Sequence, residues 1–157
     1  MLFGKKEKLM LAVADGEAIP LSEVPDEAFA SGMLGVGFAI KPTAGTVYSP
    51  VSGKIISITD SRHAYTILTD DGLDVLVHIG IDTVSLGGEG FVSMVVAGER
   101  IQAGSVIARA DMELIASKNL STVIPVLVTN PENLTKTDFT YGKVLGGKSE
   151  VMRYKPH

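Results

Sequence analysis

The chain has 157 residues, 45% apolar and 6% aromatic, with 17 glycines, 7 prolines, no cysteine and a formal net charge of −4. That length and apolar content suit one domain with a sizeable core, and the glycines and prolines favour short strands and tight turns over long helices. The missing cysteine excludes disulfide frameworks, thiolate zinc sites and cysteine catalysis. The acidic balance, with no basic stripe interleaved with aromatics, argues against nucleic acid and suits a basic protein partner.

Residues 1–8 carry lysines but no long apolar region behind them, so they read as a flexible basic head rather than a signal peptide. No apolar run approaches the roughly 18 residues of a membrane helix, and the expected location is the cytoplasm. Residues 8–19 read as strand, broken at Asp15-Gly16 and ended by Pro20. Residues 22–32 carry acids early and glycine late, which predicts a short helix starting near Pro25. Gly35-Val36-Gly37 then opens a strand over 38–41. Two glycines resemble part of a phosphate loop, but no Gly-Lys-Ser/Thr follows and a strand comes next, so a bulge or close backbone approach is the better reading. Short strands are predicted at 47–48 and 54–58 around a turn at 49–53. The run 12–17 can be laid beside 49–54, a faint repeat that would suit a barrel of two similar halves.

Downstream, 91–96 is strand-like, 98–107 alternates turn and strand, and 111–118 is the best helix candidate, with Asp111 as N-cap. Residues 120–128 are β-rich, and Pro125 within them predicts a kink or an edge strand. Strands near 135–139 and 150–154 are separated by Gly146-Gly147, and His157 is expected to be disordered. The chain reads as all-β with one or two short helices.

The candidate site lies in the strand 73–81 and the one before it. His78 sits in an apolar strand, followed by Gly80, Asp82 and Thr83, and His63 lies on the preceding strand. Period-two alternation puts Asp74, Leu76, His78, Gly80 and Asp82 on one face and Val75, Val77, Ile79 and Ile81 on the core face. A two- or four-residue loop around 69–72 places both imidazoles on one face; a three-residue loop separates them. One half-buried histidine is usually a packing residue, but two on one face beside an acid and small residues favour chemistry. A neutral imidazole is a good nucleophile toward phosphorus, and a second one can hydrogen-bond the phosphoryl oxygens. Gly80 would leave room for a partner. Asp82 could orient an imidazole, meet a basic partner, or be a solvated turn carboxylate.

His63, then His78 in H-I-G-I-D-T-V-x-L-x-G-x-G-F, together with Gly35-x-Gly37-x-Ala39-Ile40-x-Pro42, Ser49-Pro50-Val51-x-Gly53 and Gly98-x-x-Ile101-x-Ala103-Gly104, resemble enzyme IIA of the glucose family in the bacterial phosphoenolpyruvate-dependent sugar phosphotransferase system. The resemblance runs from about Ala12 to Tyr154. It implies a compact antiparallel β-sandwich or barrel of the duplicated hybrid motif type. It also implies phosphorylation of His78 through Nε2, with His63 supporting the phosphoryl group and Ser61, where a threonine is common, hydrogen-bonding His63. The phosphoryl group would come from the carrier protein HPr and pass to a cysteine on the IIB domain of a IIBC sugar transporter, the only membrane contact. The docking rim maps to Phe29, Met33, Leu34, Val36, Leu76, Ile79 and Val84, although alternation puts Ile79 on the core face. Val36 replaces an acid common in the Gly-x-Gly, which makes the rim more apolar. No cofactor is implied for the monomer. His63 and His78 could share a zinc across the interface with a regulated enzyme or permease.

Three other classes compete. A zinc hydrolase of a related barrel could recruit His63, His78 and Asp82, but the His-x-His pair of those enzymes is missing. A lipoyl or biotinyl carrier needs a lysine at a hairpin tip, typically Met-Lys, and no Met-Lys occurs. A purely regulatory binding module would use the same rim as a phosphocarrier.

Overall fold

Residues 7–157 are described by the structure, a computed structural model. In chain order the strands are β1 (Lys8–Leu11), β2 (Gly16–Pro20), β3 (Val36–Pro42), β4 (Thr46–Tyr48), β5 (Gly53–Ile58), β6 (Ala64–Leu68), β7 (Asp74–His78), β8 (Phe91–Ser93), β9 (Arg100–Ile101), β10 (Val106–Ala110), β11 (Ile124–Val128), β12 (Leu134–Phe139), β13 (Gly142–Val144) and β14 (Glu150–Pro156). Two helices, α1 (Glu27–Ala30) and α2 (Met112–Ser117), begin where capping residues stand. The Asp26 carboxylate accepts from the Ala28 and Phe29 N–H groups, and that of Asp111 from Leu114 N–H. None of the described helices is long and apolar enough to cross a membrane.

The ladders are antiparallel, as in the expected sandwich. One sheet has the order β13-β2-β3-β11-β7-β6-β5-β9, and two three-stranded sheets run β1-β14-β12 and β4-β10-β8. Alternation sends Phe38 and Ile40, Tyr65 and Ile67, Val75 and Val77, and Val126 and Val128 into one core. From the other face of the central strands, Ala39 and Leu127 join Ile19, Val24 and Phe29 in a smaller cluster, against which Leu76 packs. Each buried Val, Leu, Ile or Phe among them contributes roughly 1.5–3 kcal/mol. The second cluster fixes α1 to the face that carries His78.

The faint repeat has a structural counterpart. Leu11 N–H donates to Pro50 carbonyl at 3.0 Å, and Tyr48 N–H to Val13 carbonyl at 2.8 Å, so the two runs lie antiparallel and reciprocal. Gly147 N–H donates to the Ala12 carbonyl, and Gly104 N–H to that of Ser49, both at 2.8 Å. Ala12 therefore corresponds to Ser49 and Gly147 to Gly104, the offset that the sequence alignment of 12–17 with 49–54 uses. The two runs meet back to back at this junction.

Three expectations are corrected. β11 lies between β3 and β7, so Pro125 does not mark an edge strand. Pro125 pairs with Ala39 on β3, and in the register Val126↔Val77 it falls opposite His78, beyond the last ladder pair with β7. The missing N–H therefore interrupts no ladder there. His157 is held: its N–H donates to Asn133 carbonyl at 2.7 Å, because β14 runs on to Pro156 beside Leu134. The basic head expected over 1–8 lies outside the described residues up to position 6, but Lys8 already pairs with Tyr154 in β1.

Candidate active site

The β6–β7 hairpin has neither of the loops that would pair the histidines. Leu68 pairs with Asp74 and Ala64 with His78, so five residues, 69–73, make the connection. Thr69 builds it: its hydroxyl accepts from Leu73 N–H at 2.9 Å and donates to the Asp71 carboxylate. Strict alternation in this odd register puts Tyr65 and Ile67 with Val77 and Val75 in the core, and would bury His63 there as well. His63 escapes because it precedes β6. It follows a turn closed by Arg62 N–H to Thr59 carbonyl at 2.8 Å, with Arg62 in the left-handed region at φ 60°. The turn swings the imidazole beside that of His78. Their ring centroids lie 4.9 Å apart with planes at 82°, an edge-to-face pair.

Each ring is held by its Nδ1. His78 Nδ1 is 2.7 Å from the Gly80 carbonyl oxygen. A carbonyl only accepts, so Nδ1 carries the proton and Nε2 keeps its lone pair in the neutral ring. Gly80 is placed for this by φ 78°, by its N–H to the Val123 carbonyl at 3.0 Å, and by the buried Thr83, whose hydroxyl donates to the Ile79 carbonyl at 2.6 Å. Phe29 packs on the other side of His78, centroid to centroid 5.2 Å. His63 is buried, its Nδ1 2.6 Å from Ser61 Oγ and 3.3 Å from Thr59 Oγ1.

Both imidazoles are pushed toward the neutral form. Burial is the main cause at each. A charged His78 would depress His63 further. At His78 the Gly80 carbonyl and the carboxylates of Asp26 and Asp82 oppose the burial effect without cancelling it. The arrangement is one unprotonated nitrogen nucleophile beside a second, more deeply buried imidazole, under an open rim.

Comparison with known proteins decides the family. Residues 8–134 match the family model described as phosphoenolpyruvate-dependent sugar phosphotransferase system, EIIA 1. The chain belongs to this glucose-type IIA family. Over 116 residues, 74% of this chain, it is 47% identical to the mannose-specific EIIBCA component of a phosphotransferase system in Corynebacterium glutamicum. The match spans only 17% of that relative. The fold superposes on glucose permease IIA from Mycoplasma capricolum with a TM-score of 0.88 at 38% identity, covering 98% of this chain and 99% of that one.

Within this IIA fold the sequence-predicted residues do not all gather. His63, His78 and Ser61 meet. Asp82 is exposed and left-handed at φ 60°, and among the described residues its carboxylate makes no hydrogen bond to either ring. The Gly80 carbonyl takes the orienting role, and Asp82 acts on His78 only through its charge. Gly80 itself is packed rather than open: a Cβ there would meet Thr83 Cγ2 at 2.5 Å. Of the rim, Met33 is 81%, Val84 62% and Leu34 42% exposed, while Val36 and Leu76 are half-buried. Phe29 is nearly buried beneath His78. Ile79 is fully buried in the main core and leaves the rim, because alternation continues past the end of β7. Among the described residues no three His, Cys, Asp or Glu side chains gather as a metal site, so the donor set falls short of a hydrolase's three zinc ligands. Thr59 and Arg62 carry no reading in the sequence, and the Gly80 carbonyl and Thr83 hydroxyl take roles that the sequence does not assign them. Arg62 donates to the Phe91 and Gly88 carbonyls, both at 3.4 Å, and ties the glycine-rich loop to the histidine turn.

Proposed function

We propose that this IIA is a phosphocarrier whose His78 Nε2 accepts a phosphoryl group from phospho-HPr and passes it to a cysteine on a IIB domain. The observation that carries this reading is the fixed tautomer of His78: Nδ1–H on the Gly80 carbonyl leaves Nε2 as the nucleophile. In the first step the Nε2–phosphorus bond forms as the phosphorus–nitrogen bond to the HPr histidine breaks, and the electron pair returns to the HPr imidazole. The hydrogen bond from Nδ1–H to the Gly80 carbonyl stabilises the positive charge that the His78 ring takes on. His63 faces the same group and donates a hydrogen bond to a phosphoryl oxygen through Nε2–H. In the second step the IIB thiolate attacks phosphorus, and the Nε2–phosphorus bond breaks.

The exposed Met33, Leu34 and Val84 surround the site as the docking rim, with Val36 and Leu76 at its half-buried base. Asp26 and Asp82 beside His78 suit a basic partner. The Corynebacterium relative carries the B, C and A designations in one chain, which supports a IIB acceptor on a IIBC transporter. That acceptor would place this chain on the cytoplasmic side. The carrier step needs no cofactor. A zinc shared with a regulated enzyme or permease would have to take its remaining ligands from that partner, since two imidazoles make only half of a tetrahedral set.

The test is intact-mass analysis after incubation with phosphoenolpyruvate, enzyme I and HPr. Wild type should gain one acid-labile phosphoryl group and His78→Ala none. His63→Gln should be phosphorylated yet fail to pass the group to IIB. An unmodified wild type would sink the carrier reading and leave a regulatory binding module.

A further inference from the structure

Thr59 stands at the start of the histidine turn, and its hydroxyl is unusually committed. Oγ1 accepts from His63 N–H and from Ala64 N–H, each at 3.1 Å. A hydroxyl has two acceptor lone pairs, and both are then in use. What remains is its proton, which has two acceptors in reach: the Ala64 carbonyl at 3.4 Å and His63 Nδ1 at 3.3 Å. The Ala64 carbonyl accepts from Thr59 N–H at 3.1 Å and has one lone pair left, so it competes with Nδ1 for the hydroxyl proton. Toward Nδ1, Thr59 can therefore act only as a donor. Ser61 Oγ, 2.6 Å from the same nitrogen, has no such constraint and could donate or accept.

We propose that Thr59 is a second positioning residue for His63: it can meet Nδ1 only as a donor, at the shorter of its two acceptor distances, and so favours the tautomer with the ring proton on Nε2, the nitrogen available to a phosphoryl group. A neutral histidine with its proton on Nδ1 would present a lone pair to the phosphoryl oxygens and repel them. Ser61 supplies the shorter bond, and Thr59 decides its polarity. Loss of Ser61 alone leaves Thr59 free to close on Nδ1. Only the consequence for transfer rests on the phosphocarrier reading; the tautomer is a property of the resting protein.

The experiment is 15N NMR of the histidine side chains in the full chain, followed by single-turnover transfer from phosphorylated His78 to IIB. In wild type and in Ser61→Ala, His63 should carry its proton on Nε2, with Nδ1 at the shift of a hydrogen-bonded acceptor. In Ser61→Ala/Thr59→Val it should become a mixture of tautomers, and Thr59→Ser should restore the wild-type pattern. Transfer should slow about three- to ten-fold in Ser61→Ala, and further in the double variant in proportion to the lost Nε2–H fraction, while staying above His63→Gln. Mixed tautomers in Ser61→Ala alone, with Thr59 intact, would overturn the proposal whether or not the double variant folds. So would a double variant that keeps the Nε2–H form. The tautomer needs neither HPr nor phosphate to be read, so its outcome is separate from that of the carrier assay.

Discussion

The attack on phosphorus proposed for His78 needs its neutral form, and burial favours that form. The same burial acts on His63. Both folded-state values lie below the ordinary 6.5 that the unfolded chain would show. The unfolded state therefore binds more protons once pH drops below about 6.5. Stability from this source is present above that value and is lost as pH falls from 6.5 through the depressed folded values. Urea unfolding of wild type and of His63→Gln/His78→Gln should show a steeper loss in wild type as pH falls below about 6.5. Equal slopes would mean that the rings are not held neutral. His78 was legible in the sequence because a polar residue stands out in an apolar strand, His63 as a second histidine just upstream of it, and Ser61 because of the resemblance. The Gly80 carbonyl was not, since a backbone acceptor has no letter of its own. Thr59 was not, since a threonine at a strand end reads as β-former before it reads as a hydroxyl.

At the scale of elements, alternation along β7 was enough to name its core face, and Asp111 was enough to start α2. The pairing of β6 with β7 was not readable. Its loop is anchored from far along the chain: Asn130 and Asn133 donate to the Gly72 carbonyl at 2.8 and 3.1 Å. The segment after β7 shows how much one residue type matters to the site. Gly80 and Gly87 both have positive φ, 78° and 61°, but a Cβ at Gly80 would meet Thr83 Cγ2 at 2.5 Å and the Ser121 carbonyl at 3.0 Å, whereas Gly87 faces open space. Gly87→Ala should cost about 1 kcal/mol, the left-handed penalty alone. Gly80→Ala should cost roughly 2–4 kcal/mol, and by displacing the carbonyl it should also slow phosphorylation of His78. Denaturant midpoints with matched phosphorylation rates separate the two effects; equal costs at both positions would show that the Thr83 contact yields freely.

Across the whole molecule, the reciprocal bonding of 11–13 with 48–50 joins two similar runs far from the β6–β7 hairpin end that carries the histidines. At this junction Gly104 and Gly147 face each other, at φ 89° and 74°. A Cβ on Gly104 would lie 2.9 Å from the Gly147 oxygen, and one on Gly147 3.2 Å from the Gly104 oxygen and 2.9 Å from the Tyr48 ring. Either alanine should destabilise by about 1–3 kcal/mol. Because each Cβ presses on the other's backbone, a shift that relieves one also relieves the other, and the double variant should fall short of the sum by about 0.5 kcal/mol or more. Ala103, next to this junction, lines a cleft with Thr69 and Asp70, at the end of the β6–β7 hairpin opposite the imidazoles. Four residues of strand, about 13 Å, lie between them. Phosphorylation per folded molecule should therefore match wild type in all three variants, measured at a temperature where each is folded. Additive costs would mean that the two glycine sites adjust independently. A fall in phosphorylation without unfolding would mean that strain at the junction reaches the histidines along β6 and β7.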